Sequence, residues 1–179
     1  MLIAGVCGAF LGSATGIAAT AVSRDAKNLG MIKSLPLSKK RFMQAKLTHA
    51  MLFAGIGSLI GTGGISLLFS LKPLTAVTAL VIALSLALFC NLLALMLDTA
   101  HPKLHWTTPA AAVKHNLNNI IILFSDILLL SITVVTATLA SLPQQFYLPC
   151  FAGIPLFASG IIAHFFWPYA ERKINEIEI

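Results

Sequence analysis

Five stretches of this chain are too long and too free of charge to belong to a water-soluble protein. They cover residues 2–22, 47–70, 74–97, 117–141 and 146–167, and Asp126 is the sole Asp, Glu, Lys or Arg inside any of them. A helix rises about 1.5 Å per residue, so roughly 20 apolar residues cross a hydrocarbon core of about 30 Å. Helices are required because lipid offers exposed backbone groups no partner, and no stretch alternates apolar and polar residues as a membrane barrel does. Composition agrees: of 179 residues, 58% are hydrophobic and 10% charged, against about 25% charged in soluble domains. The expected fold is all-α, a single polytopic transmembrane bundle over residues 1–179 with five spans. Two connectors, 23–46 and 98–116, are long and basic.

The net charge of +6 would suggest nucleic acid in a soluble protein, but here the placement of the cations explains it. Arg24, Lys27, Lys33, Lys39, Lys40, Arg41 and Lys46 fill the first connector, Lys103 and Lys114 the third, and Arg172 and Lys173 the tail. Only Lys72 falls in the second connector, and the fourth, residues 142–145, has none. By the positive-inside rule the first and third connectors face the cytoplasm, with the amino terminus outside and the carboxyl terminus inside. The basic loops lack interleaved aromatics, which argues against nucleic acid and for contact with membrane lipid. Trp167 and Tyr169 sit where interfacial aromatics belong. Ala19-Thr20-Ala21 resembles a signal-peptide cleavage site, yet no basic residue precedes it, so the first stretch reads as a retained helix.

Within the first span Gly5, Gly8, Gly12 and Gly16 recur every three or four residues, and Gly57, Gly61 and Gly64 make a second, less regular strip. Bare strips let helices approach closely, so Gly8, Gly12, Gly16, Gly57 and Gly61 are the candidate packing residues, within the chain or against another subunit. Gly63-Gly64 allows a bend. Asn119, Asp126 and Thr133 stand seven residues apart and nearly share a face of the fourth span. Burying an ionised carboxylate costs about 2.5 kcal/mol or more, so Asp126 must meet protein, water or a proton. The polar line reads either as a substrate path or as an interhelical hydrogen bond. Cys7, Cys90 and Cys150 are scattered and give neither a disulfide framework nor metal-ligand spacing. There is no phosphate-binding Gly-x4-Gly-Lys-Ser/Thr loop, no nucleophile elbow and no zinc-protease helix motif. The expectation is a chain without catalytic residues, metal or cofactor of its own.

In the first connector, Leu29 and Ile32 can share one face of a short helix that Pro36 ends near Leu35, after which Ser38 can cap the next helix. Thr108-Pro109 is a second helix start. The run Ser23-Arg24-Asp25-Ala26-Lys27-Asn28, with Leu29 to Pro36 after it, resembles a group of bacterial ATP-binding-cassette (ABC) export permeases common in Firmicutes. Pro102-Lys103-Leu104-His105-Trp106 and Ala112-Val113-Lys114-His115-Asn116-Leu117-Asn118 resemble the same group. Ala26 stands where these permeases usually carry glycine, Gly30 where they carry a large residue, and His115 where they carry glutamine.

The resemblance implies a membrane-spanning permease subunit of an ATP-driven exporter in the bacterial plasma membrane, corresponding to the carboxyl-terminal part of a longer permease. A separate ATPase subunit would bind ATP and magnesium, and a second permease half or a second copy would complete the transporter. The residues implied to receive the ATPase movement are Arg24, Asp25, Lys27, Leu29, Ile32, Lys33 and Pro36, with Lys103, Trp106 and Lys114 as a second contact. On that view, charged residues at Leu29 and Ile32 should uncouple ATP hydrolysis from transport. A nonenzymatic accessory or immunity membrane protein, or an inactive permease remnant, is the competing expectation.

Overall fold

The computed structural model describes residues 1–141 and 143–177, so Leu142 of the fourth connector and Glu178 and Ile179 of the tail lie outside the described residues. Among the described residues five helical segments are long and apolar enough to cross a membrane: Leu2–Ser34, Lys39–Leu68, Pro73–Ala100, Leu117–Leu139 and Gln144–Glu176. Every regular element among the described residues is helical.

The first segment is not one helix. α1 (Leu2–Ser13) stops after 12 residues, about 18 Å of rise and little more than half a hydrocarbon core. Beyond it Thr15 and Gly16 are weak helix formers, and Gly16 takes a left-handed conformation at φ +66°. The chain then continues through 3-10 turns at Ala18–Thr20 and Ser23–Asn28 into α2 (Leu29–Ser34). The expected helix over residues 2–22 is therefore a half-helix followed by tight turns. Gly16 leaves the glycine face altogether, and a Cβ there would collide with the Asn119 side chain.

Two long helices flank α1. α3 (Lys39–Leu68) begins at Ser38, whose hydroxyl accepts from the Arg41 amide at 3.5 Å, and runs without interruption through Gly63-Gly64. α4 (Pro73–Ala100) starts with proline in its first turn, where the missing N–H has no intrahelical role. The glycine strips meet inside the chain, except at Gly64, whose Cβ position faces nothing within 4 Å beyond its own helix. Gly61 approaches the Gly8 Cα and the Cys7 carbonyl, and Gly57 faces the Leu11 carbonyl. On the other side Gly5 faces Ala79, Gly8 faces Ala83 and Gly12 faces Ala87. These ascending pairs make α1 parallel to α4, and the descending pairs make it antiparallel to α3.

α5 (Pro109–Lys114) is one short turn after Thr108. α6 (Leu117–Leu139) runs antiparallel to α4 and buries the line Asn118, Ile122, Asp126, Leu130, Thr133 and Ala137. Steps of three and four keep these residues on one helix face. Pro155 has no N–H to give the Phe151 carbonyl, and the ladder widens into a π turn over Pro149–Gly153 just before α7 (Ile154–Glu176). α7 continues through Pro168 well past Trp167, and buried Phe166, Ala170 and Ile174 join the core beside Leu92, Leu95 and Leu29. The first and third connectors and the tail consequently gather at one end of the bundle, the basic end.

Candidate functional site

The basic end is organised by a carboxylate that the sequence places outside the spans. α4 extends to Ala100, so Asp98 lies inside a segment able to cross the membrane and is fully buried. Asp126 is therefore not the sole acid within the spans. One Asp98 oxygen accepts the amides of Val22 at 2.7 Å and Ser23 at 3.0 Å. The other accepts the Ser23 hydroxyl and the Asn118 amide, the latter at 3.0 Å. Asn118 also donates to the His101 carbonyl at 2.7 Å, and the Ser23 hydroxyl accepts from the Lys103 amide at 2.9 Å. The Trp106 indole donates to the Ser23 carbonyl at 2.9 Å, with the Lys27 ammonium 4.3 Å above its ring. One buried carboxylate thus fastens both basic connectors to α4 and α6. Charge-assisted hydrogen bonds of this kind are the strong ones.

Most of the candidate coupling side chains are engaged within this framework. Arg24 donates to the carbonyls of Ile17 at 3.1 Å and Thr20 at 3.3 Å, satisfying backbone that the broken first segment leaves open. Asp25 pairs with Lys46. Lys33 donates to the carbonyls of Asn175 at 3.1 Å and Ile177, tying α2 to the carboxyl end of α7, the negative pole of its dipole. Lys39 in turn donates to the carbonyls of Ile32 and Lys33, at 2.7 and 3.1 Å, at the end of α2. Lys103 spans the third connector, donating to the carbonyls of Ala111 at 3.3 Å and His115 at 2.7 Å. Pro36 is exposed after an extended Leu35, so α2 ends where the sequence predicts.

Leu29 is 0% exposed and Ile32 packs on the same core. Leu29 is therefore not free to meet another protein, and Ile32 is partly buried. The exposed apolar side chains here are Met31, Leu35 and Leu37, beside Lys40 and Arg41, with Lys114 exposed on the third connector. Leu29→Asp is expected to lower stability by about 3–5 kcal/mol by burying an unpaired charge. Thermal unfolding in detergent checks this, and a variant as stable as the parent would contradict the burial.

The intramembrane polar candidates divide. Asp126 is 3% exposed, its carboxyl is flanked by the Ser13 hydroxyl and the Cys90 thiol, and its Oδ2 has no hydrogen-bond partner among the described residues. Asn119 joins it around a cavity of about 40 Å³, lined also by Ser13, Ala14 and Gly16. Thr133 does not: its hydroxyl returns to the Leu129 carbonyl at 2.9 Å, and it lines a separate cavity against Phe151 and Pro155. Two much larger grooves flank α6, about 700 Å³ against α4 and α7 and about 750 Å³ against α1, with almost wholly apolar walls.

Sequence reasoning missed Asp98 because its partners lie 75, 76 and 20 residues away. The available signal was local: an acid closing an apolar helix, with two asparagines opening the next.

No family model, curated protein or solved structure matches this chain. The fold itself defines the class, a helical protein with five segments able to cross a membrane, consistent with a multi-pass membrane protein.

Proposed function

We propose that this chain is the membrane-spanning subunit of an ATP-driven ABC exporter, working with a separate ATPase at its basic end and with a second permease half. The observation that carries the reading is the joining of the two connectors that resemble such permeases. They form one platform around Asp98 that leaves Met31, Leu35 and Leu37 exposed beside Lys40 and Arg41, with Lys114 exposed on the other connector. An apolar centre rimmed by cations suits a docking partner. The departures from the family pattern are compatible with it: Ala26 is a small side chain at a buried position, and Gly30 has open space where a large one would stand. The open apolar flanks of α6 suit additional helices.

In this reading the basic end faces the cytoplasm, ATP and magnesium stay on the partner, and α2 passes the partner's movement through Lys33 to α7 and through the Ser23–Asp98 contact to α4. The chain itself performs no chemistry. Copurification from its native membrane in mild detergent should yield an ATP-binding subunit. Met31→Asp with Leu37→Asp should reduce that subunit's recovery roughly tenfold while the permease stays folded. Recovery unchanged by the double variant would remove the docking assignment. Labelling of Lys40→Cys in intact cells by a membrane-impermeant thiol reagent would remove the orientation.

A further inference from the structure

We propose that the break in the first membrane segment is a binding site for a monovalent alkali cation, with Asp126 as its charged ligand. Oxygen-bearing groups converge there from two directions. From α6 come the Asp126 carboxylate, with Oδ2 unpartnered in a residue 3% exposed, and the Asn119 amide. From α1 comes the Ser13 hydroxyl at the carboxyl end of a 12-residue half-helix, where the peptide dipole is negative. Gly16, in its left-handed conformation, brings backbone rather than a side chain against Asn119. Together with Ala14, Ile122 and Leu123 these groups line a cavity of about 40 Å³, enough for a small ion and a water, since one water needs only about 10–15 Å³ on this measure.

The charges single out the ligand. A carboxylate and the negative end of a half-helix share one small cavity, and no cation pairs with Asp126 among the described residues, Arg24 being engaged at Ile17 and Thr20. An oxygen without a partner in a buried residue leaves lone pairs that a cation can take. Divalent cations take several carboxylates or many oxygens, whereas one carboxylate with neutral oxygens balances a single positive charge. Broken membrane helices hold sodium with this combination of unwound backbone and half-helix carboxyl ends. The site is independent of the proposed ATPase partner.

The test is binding of radioactive sodium-22 to the purified full chain in detergent, with unlabelled sodium, lithium and potassium as competitors. Saturable binding near one ion per chain is expected, together with a rise in Tm as sodium replaces N-methylglucamine at constant ionic strength. Asp126→Asn should weaken binding about tenfold or more, and Ser13→Ala and Asn119→Ala should each weaken it by a smaller factor. No saturable binding by the parent chain would overturn the proposal, as would a Tm that follows pH but ignores sodium. Full binding by a folded Asp126→Asn would also overturn it. If that variant does not fold, undiminished binding by both Ser13→Ala and Asn119→Ala overturns it instead.

Discussion

Replacing Asp98 by alanine is expected to cost about 3–5 kcal/mol and to release both basic connectors at once. The substitution strands two backbone amides, the Ser23 hydroxyl and one Asn118 hydrogen, all buried and all now served by a single carboxylate. A buried donor without an acceptor loses its water and gains nothing in return. Trypsin should then cut within residues 24–46 much faster than in the parent, and Tm should fall. Asp98→Asn keeps the shape and one acceptor oxygen, so its loss should be intermediate. Parental Tm and parental trypsin resistance in Asp98→Ala would show that the connectors are held by other contacts.

The second large effect is a contrast between glycines of one helix. A Cβ on Gly57 would stand 2.5 Å from the Leu11 carbonyl oxygen and 3.1 Å from the Gly12 nitrogen. Those are backbone atoms, which cannot rotate aside, so Gly57→Ala must push α1 away from α3 and is expected to cost about 2–3 kcal/mol. Beyond its own helix backbone, Gly63 has nothing within 4 Å of its Cβ position. Gly63→Ala should be neutral or stabilising by up to about 1 kcal/mol, since alanine restricts the unfolded chain and favours helix. Unfolding of the two variants side by side in the same detergent decides it. Equal effects would contradict the close packing of the two strips.

Several features were readable before any tertiary contact was known. The five spans follow from lipid's inability to satisfy backbone groups, which makes long uncharged stretches helical wherever they pack. The end of α2 before Pro36 and the starts at Ser38 and Pro109 are local backbone matters, fixed by a missing N–H or a capping hydroxyl. The glycine strips were legible as packing surfaces, because a bare helix face is visible in spacing alone.

Which surface each strip meets was not legible, nor was the break after Ser13. Apolarity says that residues 2–22 belong in lipid, but a half-helix is as apolar as a whole one. The site residues show the same division. Asp126 declares itself by being charged in an apolar run, while the neighbours that give it meaning come from α1 and α4, over 100 and over 30 residues earlier in the chain. Leu29 and Ile32 have the spacing of a contact face, and spacing alone does not say whether that contact is inside the chain or outside it. Here it is inside.

By itself, then, the sequence determined that this is a helical chain with five membrane-length segments and one strongly basic set of connectors. Those properties are sums over neighbouring residues, and the solvent reads them locally. The tertiary structure alone decided that Asp98 binds the connectors together, that Arg24 and Lys33 satisfy backbone carbonyls, and that Asp126 faces a broken helix. Each of those depends on residues far apart in sequence meeting where water is excluded, and there an unpaired polar group is expensive enough to select its partner.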